Sequence, residues 1–258
     1  MRPTIAVLRL EPTARLGHFR SAFSALSYSC RNADIAPAAP NPLADLNWRN
    51  RILLMGGVGD IDLPGAPPVD PKLLAALTRI AAFGRPILAV GRGAEVLCLA
   101  LGGKVGPPAA PVGWRLLALT SAGGADPLTR SLPSELPGLY LPARVCLPPP
   151  QARVLLTCGA QPAAFAVGSA YALCWEPHFK PNDLVLALAT ALRARLRPET
   201  RDTLLAEGKL HASSVRDVCA RLAACFIECT VPQPDHHAGA FARIDAPTRR
   251  PPRGRSRS

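Results

Sequence analysis

Residues 86–103 read Pro86-Ile-Leu-Ala-Val-Gly-Arg-Gly-Ala-Glu-Val-Leu-Cys-Leu-Ala-Leu-Gly-Gly103, and the architecture follows from them. Pro86–Val90 is a short, wholly apolar run, the pattern of a buried strand. Gly91-Arg92-Gly93 is a tight turn. Ala94–Leu101 has helical spacing, and Gly102-Gly103 stops it. Strand, glycine turn, helix and glycine stop make one βα unit of a parallel sheet. Such a turn lifts whatever sits at its tip to the top of the sheet, at a helix N-terminus. Backbone N–H groups and the helix dipole stabilise a thiolate or oxyanion there. The tip residue here is Gly91, which has no side chain.

Outward from this unit, strands are expected at Thr4–Leu10 and Arg51–Met55, the latter closed by Gly56-Gly57. Helices are expected at Arg15–Leu26 and from Pro71, a first-turn proline, to Phe83. Trp114–Thr120, Arg153–Cys158, Ala163–Val167 and Tyr171–Trp175 read as four more strands. Their close spacing suggests antiparallel additions to the sheet. Asn182–Leu196 reads as a helix with Leu184, Leu188 and Leu192 on one face. Past Arg197-Pro198 come two further helices, Glu199–Glu207 and Ser213–Cys229. The second carries an apolar stripe at 215, 218, 219, 222, 225, 226 and 229, with Ser213 or Ser214 as cap. From Pro232 the chain is polar and Pro/Arg-rich and should not bury a core.

The 258 residues are 48% hydrophobic and 19% charged, which excludes global disorder. A net charge of +12 invites a nucleic-acid reading. Residues 232–258 hold six arginines and two aspartates, a net +4, and the rest is spread along the chain. The thirteen Phe, Tyr and Trp give few stacking platforms for single strands. Nucleic-acid contact is therefore expected only weakly, through the tail. The eight cysteines form no CxxC pair and lie largely in apolar runs, which suits buried thiols in a reducing compartment. The first residues read as a strand rather than a signal peptide, and a cytoplasmic location is expected. The uncharged run Val154–Trp175 is long enough to span a bilayer. Gly159, Gln161, Pro162, Gly168 and Ser169 break it into short strands, so no membrane span is expected. His236-His237 lacks ligand spacing, Gly91-x-Gly93 lacks the rest of a dinucleotide fingerprint, and nothing calls for a metal or cofactor.

Over residues 45 to 180 the sequence resembles the class I glutamine amidotransferases. Members have a strand ending in a double glycine, as in Leu53-Leu-Met-Gly56-Gly57. Their Gly-Ile-Cys-Leu-Gly-Ala-Gln elbow is matched by Ala89-Val-Gly91-Arg-Gly93-Ala94-Glu95. Their Leu-Ala-x-Ala-Leu-Gly-Gly is matched by Leu97-Cys-Leu-Ala-Leu101-Gly102-Gly103. Gly113-Trp114 and Leu147-Pro148 match pairs that precede strands. The family's Gln-Phe-His-Pro-Glu segment looks like Cys174-Trp175-Glu176-Pro177-His178. The resemblance implies a flavodoxin-like three-layer sandwich over residues 1–197. A helical extension (198–231) and a disordered basic tail (232–258) would follow.

The same alignment puts Gly91, Glu176 and His178 at the positions of the nucleophilic Cys, the His and its acidic partner. None keeps the nucleophile, base and orienter chemistry, so ordinary glutamine hydrolysis is not expected. Cys98, two helical turns past the tip, is too far to substitute; Cys174 is the thiol nearest the site in sequence. The scaffold that remains is Gly56 and Gly57, where the family builds its oxyanion hole, and Gly91, Arg92 and Gly93 at a helix N-terminus. It suits a small anionic ligand. Glu95 replaces the family's Gln and adds a negative charge there. The leading expectation is a binding or regulatory subunit without catalysis. The alternative is an enzyme of altered hydrolase or transferase chemistry using Glu176 and His178 as acid and base. The stripe on 213–229 either packs onto the sheet or meets a protein partner or second copy.

Overall fold

A computed structural model describes residues 2–11, 14–35, 51–56, 69–108, 112–141, 144–189 and 196–229. The elements, in chain order, are β1 (Thr4–Arg9), α1 (His18–Ala25), β2 (Ser29–Asp34), β3 (Arg51–Met55), α2 (Pro71–Ala82), β4 (Ile87–Val90), α3 (Arg92–Ala100), β5 (Lys104–Pro108), β6 (Gly113–Leu119), α4 (Ser121–Ala125), β7 (Glu135–Tyr140), β8 (Arg144–Leu147), β9 (Arg153–Cys158), β10 (Gln161–Val167), β11 (Ala170–Leu173), α5 (Pro181–Ala189), α6 (Pro198–Leu210) and α7 (Ala212–Glu228). The main sheet runs β2-β1-β3-β4-β11-β10-β9-β6-β7. The pairs from β2 through β11 are parallel, and those from β11 to β7 antiparallel. β5 and β8 make a separate antiparallel ribbon.

Period-2 alternation sends the strand side chains to two cores. On one face Ile5, Val7, Leu53, Met55, Leu88 and Val90 meet Phe19 and Phe23 of α1 and Val218, Leu222 and Phe226 of α7. On the other, Leu8, Ile52, Leu54, Ile87 and Ala89 meet Leu73, Leu77 and Ile80 of α2 and Val96 and Leu97 of α3. This is the expected flavodoxin-like α/β sandwich of three layers. A smaller cluster joins α5 and α6 to β7 through Leu139, Leu184, Leu188 and Leu204.

The run 154–175 forms β9, β10 and β11, in keeping with its turn residues. No helix of the described residues is long and apolar enough to cross a membrane. All eight cysteines are free, and six are buried.

Several expectations are corrected. The apolar stripe of α7 is covered by this chain's own sheet and α1, so it does not form a partner or dimer surface. Neither Ser213 nor Ser214 caps α7; it starts at Ala212, one residue after α6 ends, with His211 at the cap position. The first helix begins at His18 because Gly17 turns the chain at φ 50°, although Leu16 is still buried. β11 ends at Leu173, so Cys174 and Trp175 lie beyond the strand. Four strands, β2, β5, β7 and β8, come in addition to those expected. β2 reads Ser-Cys-Arg-Asn-Ala-Asp and lies at a solvent-facing sheet edge, where apolar alternation is not needed. β7 contains Pro137 and Gly138, tolerated because it is the opposite edge. Gly57, Leu192, residues 190–195, His236, His237 and the tail 232–258 lie outside the described residues.

Candidate functional site

β4 is fully buried between β3 and β11, and the chain leaves it at Gly91 to enter α3. Gly91 adopts φ 55° and ψ −123°. A positive φ of this size favours glycine, and the Gly91 N–H donates to the Leu173 carbonyl at 2.9 Å. α3 then passes hard against β3. A Cβ on Gly93 would lie 2.3 Å from the Leu54 carbonyl oxygen, and one on Gly56 would lie 2.5 Å from the Arg92 Cβ. The Gly56 N–H points to the Val90 carbonyl at 3.4 Å, so it serves the sheet rather than an oxyanion.

Glu176 sits directly over this turn. The segment 174–176 is fixed by two backbone bonds, Cys174 N–H to the Ala163 carbonyl at 2.8 Å and Glu176 N–H to the Leu139 carbonyl at 2.9 Å. A Cβ on Gly91 would stand 2.0 Å from Glu176 Oε1 and 2.8 Å from its Cδ. The carboxyl group therefore occupies the volume that a side chain at the tip would need. Glu176 is buried, and burial pushes its pKa from the usual 4.5 up to about 8, with the charges of Glu95 and Glu11 adding to the effect. Glu95, in the first turn of α3, is itself buried and accepts the Arg144 N–H at 2.8 Å, tying the β5–β8 ribbon to the elbow helix.

His178 completes the centre. Its Nδ1 lies 3.4 Å from Glu176 Oε2 and makes no hydrogen bond. The ring is hydrogen-bonded to the Arg15 backbone, so Nε2 carries the proton and Nδ1 presents a lone pair to the carboxyl. Burial, helped by the nearby His18, lowers the His178 pKa from 6.5 to about 3. Phe19 stacks on the imidazole at 6.0 Å, and Phe179 meets it at 4.9 Å. The His178 carbonyl accepts the His18 N–H at 2.7 Å. At neutral pH the centre is therefore a proton-bearing acid beside a proton-free base, both nearly sealed from solvent.

The structure thus brings Gly91, Glu176, His178, Glu95 and Gly56 around one turn, with Arg92 half-buried beside them. It keeps the candidate thiols away. Cys98 lies in the α2–α3 core, its Sγ near the Lys104 and Leu147 carbonyls at 3.4 and 3.6 Å. Cys174 lies in that same core, hydrogen-bonded with Cys146. Among the described residues no group of three or more His, Cys, Asp or Glu could hold a metal ion. Sequence reading missed Glu11, Arg15 and His18. Glu11 and Arg15 come from the loop after β1 and His18 opens α1, all far from Glu176 along the chain, and only the sheet order β1-β3-β4-β11 brings them to the site. No local signal marks them.

No family model matches the sequence, and no curated protein matches it. Solved structures share the fold. A glutamine amidotransferase from Thermotoga maritima is 16% identical, with TM-score 0.71 over 88% of this chain and 99% of that one. A glutamine amidotransferase from Methylobacillus flagellatus is also 16% identical, with TM-score 0.71 over 92% of this chain and 98% of that one. A Thermoplasma acidophilum protein described as a GMP synthase subunit is 14% identical, with TM-score 0.56 over 87% of this chain and 94% of that one.

Proposed function

We propose that this chain is a catalytically degenerate relative of the class I glutamine amidotransferases that serves as a binding or regulatory subunit in the cytoplasm. One observation carries the reading: the carboxyl of Glu176 fills the space over Gly91 that a nucleophilic side chain would occupy. A thioester route needs a thiolate at that point and a base to raise it. Here the tip has no side chain, and the group above it holds its own proton at neutral pH. One of the similar structures is described as a GMP synthase subunit, which supports a partner-dependent role. Since the α7 stripe is buried, any partner meets another surface. The purified chain should release no ammonia from glutamine. Release that is abolished by thiol alkylation would refute the reading.

A second reading has its own support. Glu176 and His178 make an acid and a base 3.4 Å apart, with their pKa values pushed to opposite sides of neutrality. Such a dyad suits proton transfer. It is weighed down by burial: 7% exposure for Glu176 and 3% for His178 leave a substrate little access. Any hydrolase activity under this reading is lost in Glu176→Gln or His178→Gln; activity that survives the double change sinks it. For the basic tail, we propose a weak electrostatic contact with nucleic acid at most, which deletion of residues 232–258 removes.

A further inference from the structure

Three cysteine sulfurs meet where the elbow helix, the β5–β8 ribbon and the main sheet come together. Cys98 comes from α3, Cys146 from β8 and Cys174 from the residue after β11, and all three line one buried core. Cys146 is the middle member, hydrogen-bonded to Cys98 on one side and to Cys174 on the other. The two outer members differ. Cys98 is wedged against backbone: its Sγ lies 3.4 Å from the Lys104 carbonyl and 3.6 Å from the Leu147 carbonyl, the two residues that pair at one end of the ribbon. A Cβ on Gly103 would stand 2.6 Å from that sulfur, so nothing else fits beside it. Cys174 is the outermost thiol, 4% exposed against 1% for Cys146 and none for Cys98. The hydrogen bond to Cys174 is the largest cause that pushes the Cys146 thiol up, so the Cys146 S–H donates and the Cys174 sulfur accepts.

We propose that Cys174 and Cys146 are a reversible oxidation site, at which a small hydroperoxide oxidises Cys174 and Cys146 closes a disulfide with it. The Cys174 sulfur attacks the O–O bond and becomes the sulfenic acid –SOH; the departing oxygen takes the thiol proton and leaves as an alcohol, or as water from hydrogen peroxide. The Cys146 sulfur then displaces the hydroxyl, which takes the Cys146 proton and leaves as water. Two thiols give up two electrons and two hydrogens, and the peroxide bond receives them. A dithiol reductant returns both thiols by exchange. Such a bond fits a chain whose cysteines are all free at rest, because disulfides in a reducing compartment are transient and redox-sensing. It ties β8 to the segment that carries Glu176 two residues further on. In the thiol form the ribbon reaches the elbow through the Arg144 N–H on the Glu95 carboxyl, at 2.8 Å, and through Cys98.

The full chain, reduced and freed of reductant, is treated with hydrogen peroxide in native buffer. Its remaining thiols are then blocked with a maleimide in denaturant, and the linked peptides are mapped by mass spectrometry with fragmentation between Cys158 and Cys174. Free thiols should fall from eight to six, the link should join Cys146 to Cys174, and dithiothreitol should restore all eight. Cys98→Ser should still form the link. Cys146→Ser should stop at a Cys174 sulfenic acid that dimedone traps, and Cys174→Ser should lose no thiol. The same treatment in denaturing urea should scramble the pairing. The proposal is overturned if the link joins Cys98 to Cys146, if the half-buried Cys30 and Cys158 are oxidised while Cys146 and Cys174 stay free, or if all eight thiols outlast a dose that oxidises free cysteine in the same tube. A Cys146–Cys174 preference that persists in urea overturns it too, because the fold would not be what selects the pair. The map of the unaltered chain decides by itself, so a variant that fails to fold leaves the result standing.

Discussion

Glu176 Oε1 lies 2.0 Å from the point where a Cβ on Gly91 would stand. The two residues are mutually dependent. A glycine at the tip makes room for the carboxyl, and the carboxyl fills the space that a side chain there would need. The chain turns sharply from strand to helix at Gly91, as in an elbow that presents a side chain, yet nothing is presented. The turn is of the elbow kind, while the space above it is taken by a group from the segment that follows β11.

Placing a side chain at the tip should therefore cost stability rather than create activity. Gly91→Ala meets Glu176 Oε1 and also forces a Cβ into a positive-φ conformation. The two effects together should destabilise the fold by about 2–4 kcal/mol, read by urea unfolding. Gly91→Cys should lose at least as much and still release no ammonia from glutamine, because Glu176, the group above the tip, holds its own proton at neutral pH and offers the thiol no base. In the double variant Gly91→Ala, Glu176→Ala the loss should be less than the sum, since the clash is relieved. Strict additivity would show that the two residues do not share the space.

Stability should vary with pH in a way set by the same pair. Glu176 binds its proton more tightly in the folded chain, 4.5 rising to about 8. Between those values the native state holds more protons than the unfolded one, so stability falls as pH rises. His178 is the opposite, 6.5 falling to about 3, so its contribution rises with pH across that window and is lost on acidification below 6.5. The slopes oppose each other between 4.5 and 6.5, where stability should be nearly flat. It should fall from pH 6.5 to 8 through Glu176 and below 4.5 through His178. Unfolding midpoints in urea from pH 4 to 8.5 check this, and Glu176→Gln should abolish the alkaline limb while leaving the acid limb.

Much of the architecture is legible in the sequence because its core strands are apolar runs bounded by glycine and proline. Arg51–Met55, Pro86–Val90 and the Gly91 turn are of this kind, and all sit where the pattern puts them. β2 escapes because it is an edge strand with no buried face to write alternation into sequence, and β7 because Pro137 and Gly138 interrupt its run although Leu136 and Leu139 are buried. At the site, the positions Gly91, Glu176 and His178 can be picked out by spacing against an amidotransferase pattern. That the carboxyl enters the recess cannot, because it depends on how the 174–178 segment folds back over β4. Glu11 and Arg15 are invisible for a related reason: their role is set by which strand lies next to which.

Arg51 should hold the C-terminus of α7 in place. From the start of β3 its Nε donates to the Phe226 carbonyl at 3.2 Å, and its Nη2 donates to the carbonyls of Ile227 and, at 2.8 Å, Cys229. The Phe226 carbonyl also accepts the Cys229 N–H at 3.3 Å. Carbonyls at a helix end lack the next turn's N–H groups, and a cation there also suits the helix dipole. Arg51→Met, which keeps the stem and loses the donors, should cost about 1.5–3 kcal/mol. Arg51→Lys should recover only part of that, because an ammonium cannot reach three carbonyls with a fixed fork. If Arg51→Met unfolds at the same urea concentration as the unaltered chain, the capping role is refuted.

The C-terminal helix α7 should behave as a layer of the fold rather than as an appendage. Its Phe226 is fully buried, the ring 6.5 Å from Phe23, which stacks on Phe19 at 5.7 Å, which in turn stacks on His178 at 6.0 Å. A line of rings therefore runs from α7 to the candidate site. Phe226→Ala should cost about 3–5 kcal/mol, and Phe226→Leu about half that, by transfer and cavity terms. Cutting the chain after His211 removes the cover over Val7, Leu53 and Leu88, whose face of the sheet cannot stay exposed to water. The truncated chain should bind a hydrophobic dye and lose cooperative unfolding. A soluble, cooperatively folding 1–211 fragment would mean that α7 is dispensable cover, and that the sheet has another way to protect this face.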